Sequence, residues 1–563
     1  MRTRLVPSLV SCLALTAAAC ASGVGRTPEA RTTAAGAGAP YDLLIVNGRI
    51  VDGTGNPWYY GDVAIRGDRI AAVGAGLRGR PAARVIDAEG LVVTPGFIDM
   101  LGHSERSILR NPTAVSKITQ GITTEITGEV SSAWPNTVAG APQPEAPRDP
   151  WTSLAGYFHH LEQQGTAINL GTYIGASSVR RAVIGDASRN PTAAELQRMG
   201  DLVEQGMKDG ALGLSTGLIY PPSTWFTEAE LTALARRAVP YGGGYASHIR
   251  SEGSGLLDAL REALRIGHGA GTWVQIRHLK ASGEPNWGLM REAVALLDSA
   301  RRAGLDVTAD QYPYPASGTG LSAILPAWVQ AGGADSMLAR LRDPAARERL
   351  RNPAEQGEWG DRRKPETVLV DGVSVDSLRI YEGRRLSEIG RMRGQDPYEA
   401  AFDILVGDHG RTSAIYFTMS EDDVRLAMRQ PWVSIGQDAG ARTPAADGRG
   451  RGHPRAFGTF PRILGRYVRQ DSVLVLEDAV RKMTSLAAQR VGLDERGVLK
   501  RGMYADVVVF DPATVLDRAT FESPQQVATG IRFVAVNGRL VLDEGRVTGA
   551  RPGRALRGTG ASE

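Results

Sequence analysis

Apolar residues recur along this chain in two textures. Residues 41–95 alternate apolar and polar positions between glycine turns, as in YDLLIVNGRIVDGTG and DVAIRGDRIAAVG. A period of two predicts short antiparallel strands with one buried face. The far end repeats this texture in ADVVVFDP and FVAVNGRLVLDEGRV, and its AVNGRLV nearly duplicates the earlier IVNGRIV. Two distant stretches of matching strand character predict one small β-sandwich domain built from residues 41–95 and 495–556, with the middle of the chain inserted into it.

From residue 96 to 494 short apolar runs alternate with amphipathic helical stretches, the pattern of parallel βα units. Candidate strands lie near 97–99, 123–127, 169–174, 212–215, 245–248, 274–278, 306–310, 414–418 and 433–436. The reading is an α/β chain whose main body is a TIM-type (β/α)8 barrel. Nine candidates exceed an eight-stranded barrel, so 414–418 is assigned to an excursion. Residues of about 328–410, charged and rich in turns, are predicted to form an insertion between the last two barrel strands.

Two of the apolar runs close on histidine, GGGYASHIR on His248 and TWVQIRHLK on His278, and WVSIGQD closes on Asp438. Side chains at the C-terminal ends of barrel strands converge on one mouth. Two imidazoles and a carboxylate there suit a divalent metal with a general base beside it. Lys280 follows His278 by two residues and Arg250 follows His248 by two, so in extended chain each shares its histidine's face. Cations so placed would hold a substrate carboxylate by charge-assisted hydrogen bonds. The Gly- and Arg-rich stretch 439–457 is a candidate cationic lid, in which His453 and Arg455 carry the most chemical interest. Gly213-Leu214-Ser215-Thr216-Gly217 matches G-x-S-x-G, but the match is short and the histidines serve metal better than a serine nucleophile.

At 563 residues, with 42% hydrophobic and 22% charged, the composition is that of a globular protein larger than one ordinary domain. A net charge of +4 from scattered arginines leaves no nucleic-acid footprint. The N-terminus, MRTRLVPSLVSCLALTAAACASG, has two arginines before an apolar stretch and small residues before Cys20, which marks residues 1–20 as an export signal. Its end resembles a bacterial lipoprotein processing site with Cys20 as the lipidated residue. The apolar stretch is shorter than the ~20 residues of a membrane span. Residues 21–40 read as a flexible tether. The expected address is the periplasm or cell envelope, with membrane contact only through the anchor. Both cysteines, Cys12 and Cys20, lie in the signal, so no disulfide is expected. Nothing in the sequence sets an oligomeric state.

PGFIDM, GALGLSTGLIYPP, YASHIRSEG, VQIRHLKASG, DQYPYPAS, SIGQD, HPRAFGTFPRILG and MTSLAAQRVGL, spread over nearly the whole chain after residue 41, resemble the amidohydrolase superfamily and, within it, the D-aminoacylase (N-acyl-D-amino-acid deacylase) family. The resemblance implies a zinc-dependent enzyme that hydrolyses the amide of N-acyl-D-amino acids, a carbon–nitrogen bond other than a peptide bond. It implies His248 and His278 as zinc ligands, Asp438 as the catalytic aspartate, and Lys280, Tyr312 and Arg455 as contacts to the substrate carboxylate. The chain departs from the family at two places. Leu101 stands where the first histidine of a His-x-His pair is usual, which leaves His103 as a hydrogen-bonding neighbour of the site. Val130 stands where a cysteine ligand is common, and Glu129, one place earlier, is the expected substitute. The departures point to one zinc ion held by Glu129, His248 and His278. Two other readings stay open: a dipeptidase or cyclic-amide hydrolase of the same superfamily, and a degenerate lipoprotein that binds its ligand without turnover.

Overall fold

Eight parallel strands form the centre of the computed structural model, which describes residues 40–139, 149–352, 364–444 and 451–561. The expected export signal with Cys20, and the tether up to residue 39, lie outside the described residues, as do residues 445–450 of the expected lid. The strands are Phe97–Asp99 (β1), Ile122–Thr127 (β2), Asn169–Thr172 (β3), Gly213–Gly217 (β4), Gly244–His248 (β5), Val274–Ile276 (β6), Val307–Gln311 (β7) and Val433–Ile435 (β8). Apart from β3 and β4, each pairs in parallel with the next. The link from β3 to β4 runs through Ile174–Gly175, just past Tyr173. The ring closes where the Met100 amide donates to Ile435 O at 3.1 Å and Gly102 bridges Ala439 in parallel. These strands are buried on both faces, as a barrel wrapped by helices requires.

The covering helices follow from spacing. In Leu256–Ala270 all the buried residues except Ile266, namely Leu256, Ala259, Leu260, Ala263, Leu264, Gly267 and Ala270, follow the three-to-four spacing of one helix face, and Gly271 ends the helix in the left-handed region at φ 76°. An earlier helix, Ala193–Lys208, opens with a reciprocal capping box between Thr192 and Glu195.

Both ends of the described chain meet in one nine-stranded sheet. The meeting point is antiparallel pairing of Val92–Pro95 with Val507–Phe510. Leu43, Ile45, Val63 and Ile65 from the first end share a buried cluster with Val507, Val509 and Phe533 from the second. The repeated NGR motif has a structural counterpart. Asn47 and Asn537 both adopt left-handed backbone, at φ 61° and 45°, and each amide donates to a buried aspartate, Asp62 and Asp506. The sheet ends at Val547. Residues after it, expected to stay with the sheet up to 556, instead return beneath the barrel, where Leu170 exchanges backbone hydrogen bonds with Arg554 and Leu556.

The insertion is wider than its charge pattern indicated. Ser317–Gly320, Val368–Gly372 and Ser413–Tyr416 form a separate antiparallel sheet. It has its own core, including Leu321, Val329, Leu341, Val370 and Phe402. The apolar run near 414–418 thus belongs to an excursion that extends from 317 to 416, past both ends of the predicted 328–410. Among the described residues no helix is long and apolar enough to cross a membrane.

Candidate metal centre and cleft

The C-terminal ends of β1, β2, β5, β6 and β8 deliver polar side chains to the floor of one open cleft of about 870 Å³. His248 is the last residue of β5. His278 lies two residues past β6 in left-handed backbone, at φ 34°, and its amide donates to Asp310 Oδ1 at 2.8 Å. Glu129 lies two residues past β2. Gly128 before it has φ 94°, and a Cβ there would sit 2.4 Å from Tyr173 O, so only glycine fits the turn. Val130 after it holds φ 62°, a strained conformation for a β-branched side chain. Its side chain packs where any Cβ on Gly217 would fall, 2.3 Å from Val130 Cγ2. This backbone excursion brings Glu129, and not Val130, to the two histidines.

Three ligand atoms converge. Glu129 Oε1 is 3.1 Å from His278 Nε2 and 3.3 Å from His248 Nδ1, and the two nitrogens are 2.9 Å apart. All three residues are buried. Glu129 Oε1 lacks a well-formed hydrogen bond among the described residues. One carboxylate and two imidazoles, spaced near the edges of a small tetrahedron, fit the donor set of a zinc site. A second group, His103, Glu129 and Asp438, adjoins it. His103 Nε2 lies 2.9 Å from Asp438 Oδ1 and 3.2 Å from Glu129 Oε2, bridging the candidate ligand and the candidate base. Leu101 is fully buried, and its carbonyl accepts the Asp438 amide at 2.7 Å.

Asp438 sits at φ 53°, with Oδ2 2.8 Å from Arg455 Nη1. Burial presses this carboxyl upward, but the Arg455 guanidinium and the His103 hydrogen bond hold it at about 2. Burial and the Lys280 ammonium press the His278 imidazole down; the Glu129 and Glu252 carboxylates overcome both and hold it at about 9. A metal needs the lone pair that this proton occupies, so below pH 9 proton and metal compete. Apparent zinc affinity is therefore expected to rise about tenfold per pH unit from pH 6 towards 9 and then flatten. Competition against a chromogenic chelator, corrected for the chelator's own protonation, measures this; a flat profile would contradict it.

Other expected residues fall unevenly. Lys280, Tyr312 and Arg455 all line the cleft. The Tyr312 ring lies under both cations, 4.7 Å from the Arg455 guanidinium carbon and 5.6 Å from Lys280 Nζ. Its hydroxyl turns to Met419 Sδ at 3.8 Å. Arg250 does not join them. β5 ends at His248, so the expected side-chain parity no longer applies, and Arg250 pairs with Glu262 and donates to the carbonyls of Thr224 and Phe226. Ser215 is buried within β4 and offers no nucleophile elbow. Gly452, near the end of the expected lid, is tied to the insertion by its backbone N–H, which donates a hydrogen bond to Asp371 Oδ1 at 2.8 Å.

Glu252 was not singled out from the sequence. It pairs with Lys280, and its Oε1 lies 3.1 Å from His278 Nδ1 and 3.6 Å from His248 Nε2, behind both candidate ligands. Such outer carboxylates fix the tautomer of ligating histidines. The available signal was its place four residues after His248. Tyr220 sets its ring edge against His248, 5.1 Å between centroids, and donates to Thr319 of the insertion. Ser317, Thr319, Ala323 and Tyr416 complete the insertion's wall of the cleft.

The chain is similar to known proteins over most of its length. The amidohydrolase family model matches residues 84–542. D-aminoacylase of Alcaligenes xylosoxydans xylosoxydans is 37% identical over 93% of this chain and 99% of its own length. The crystal structure of N-acyl-D-glutamate deacylase from Bordetella bronchiseptica, complexed with zinc and a phosphonate mimic of the tetrahedral intermediate, superposes with a TM-score of 0.78 at 35% identity, over 92% of this chain and 100% of that one. A D-aminoacylase structure whose binuclear metal centre shows one-metal activation and second-metal attenuation gives 0.77 at 36% identity, over 92% and 100%.

Proposed function

This chain belongs to the amidohydrolase family, and we propose that it is a zinc-dependent hydrolase that cleaves N-acyl-D-amino acids to a carboxylic acid and a D-amino acid. The observation that carries the reading is the convergence of Glu129, His248 and His278 beside Asp438 on the floor of one cleft. Zinc bound by those three residues supplies Lewis-acid polarisation of the amide carbonyl and makes water a nucleophile near neutral pH. One ion suffices in this reading, because Leu101 withholds a ligand from the second group.

The chain's own groups divide the remaining work. Asp438, ionised above pH of about 2, takes the proton of the attacking water and returns it to the leaving amine nitrogen. His103, hydrogen-bonded to Asp438 and Glu129, keeps the base turned towards the cleft. Lys280 and Arg455, both against the Tyr312 ring, hold the substrate's free carboxylate. The insertion wall, with Thr319 and Tyr416, meets the rest of the substrate. The D configuration is supported by the substrates named for the similar enzymes. An envelope address with Cys20 acylated is supported by the signal in residues 1–20 and suits substrates outside the cytoplasm.

The test is amine release by zinc-reconstituted protein from N-acetyl-D- and N-acetyl-L-amino acids and D-containing dipeptides, with and without chelator. Chelator-sensitive release from the D series is expected. Release from dipeptides alone would make the protein a peptidase, and zinc uptake without any turnover would leave only a binding role.

A further inference from the structure

Lys117 is fully buried, yet its ammonium is surrounded by acceptors. The residue comes from the short helix Val115–Ile118, between β1 and β2. Nζ donates to Asp99 Oδ2 at 2.9 Å, to Ala439 O at 2.7 Å and to Gln437 Oε1, and lies 3.2 Å from Glu125 Oε1. Two of those acceptors belong to the residues immediately before and after Asp438. The other contacts tighten the same junction. Asp99 Oδ1 accepts from the amides of Gln437 at 2.7 Å and Leu101 at 3.2 Å, and the Leu101 carbonyl accepts from the Asp438 amide at 2.7 Å. Gln437 Nε2 donates to Ala456 O at 2.7 Å, next to Arg455, the ion-pair partner of Asp438.

Burying an ammonium is costly unless every donor is satisfied. An apolar side chain of similar length would fill the same space without that cost. It would not bind Gln437 Oε1 and Ala439 O together, which is what restrains a residue held in left-handed backbone. We propose that Lys117 is a positioning residue for Asp438: its ammonium clamps the turn 437–439 from beneath and keeps the carboxylate aimed into the cleft. The proposal rests on Asp438 being the general base.

Lys117→Met is the direct test. Removing the ammonium takes the buried counter-charge from Asp99 and Glu125. Burial already raises Glu125 to about 7, so K117M/D99N, which removes the other charge and keeps an acceptor at position 99, is measured beside it. In folded, zinc-loaded variant, kcat is expected to fall about 10- to 100-fold, the scale at which small displacements of a catalytic group act. KM and zinc content are expected to stay near those of the parent. Amide exchange should accelerate in the segment 436–441 while β5 and β6 keep their protection. In a D438N background the Lys117 substitution should cost nothing further, because groups that act as a unit are not additive. A kcat within threefold of the parent, an equal loss of protection across the barrel, or a full additional loss on top of D438N would overturn the clamp. A parent enzyme without turnover on any N-acyl amino acid would instead sink the deacylase reading, and the exchange data would still decide whether Lys117 holds the turn.

Discussion

Asp438→Asn is expected to lower kcat at least about 1,000-fold while leaving zinc content and substrate affinity close to those of the parent. Asparagine keeps the size of the side chain and still accepts from Arg455, so the cleft need not rearrange. What it lacks is a basic oxygen. Asp438 is not among the three atoms that converge between His248, His278 and Glu129, so metal retention separates the base from the ligands. Steady-state amine release with parallel metal analysis reads both quantities. The same substitution discriminates between an enzyme and the degenerate binding protein that Leu101 and Val130 suggest on their own. A binder has no use for a carboxylate held at about 2 by Arg455 and would lose nothing. Because that carboxylate stays ionised down to strongly acidic pH, a fall in activity between pH 7 and 5 in the parent would not report protonation of the base. It would report protonation of the zinc-bound water or loss of zinc, which parallel metal analysis separates.

The barrel and its two histidines were legible because burial on both strand faces forces short continuous apolar runs, and a polar residue that ends such a run stands at a rim. His248, His278 and Asp438 are all of that kind. Side-chain parity was a weaker guide. It assumed extended chain past the histidines, yet β5 and β6 stop at His248 and Ile276. Lys280 nonetheless reaches the cleft, while Arg250 turns to Glu262. The Glu129 position was readable only as a substitute for a missing ligand; what brings it to the two histidines, left-handed backbone at Gly128 and Val130, is a property of the folded turn. Least legible were residues whose role depends on partners remote in sequence. Lys117 gathers acceptors from 99, 125, 437 and 439. The insertion's wall joins 317–323 to Tyr416 through a sheet whose strands have no parallel-barrel pattern.

Glu129→Ala is expected to abolish turnover by a different route, through loss of the metal. Glu129 carries the single anionic atom of the three candidate ligand atoms, and its removal leaves two neutral or protonated imidazoles facing each other at 2.9 Å. Loss of an outer-shell partner already weakens metal sites by about 10- to 100-fold, so removal of the carboxylate ligand should exceed that range. Excess zinc would then restore only part of the activity, whereas D438N would not respond to added zinc at all. The variant carries a second signature in its pH dependence. The Glu129 carboxylate is the chief group raising the His278 imidazole to about 9. Without it burial and Lys280 act with less opposition, and the His278 proton is lost at lower pH. Residual zinc affinity should therefore stop rising well before pH 9, in contrast to the parent. Unchanged zinc affinity with an unchanged pH profile would remove Glu129 from the proposed ligand set.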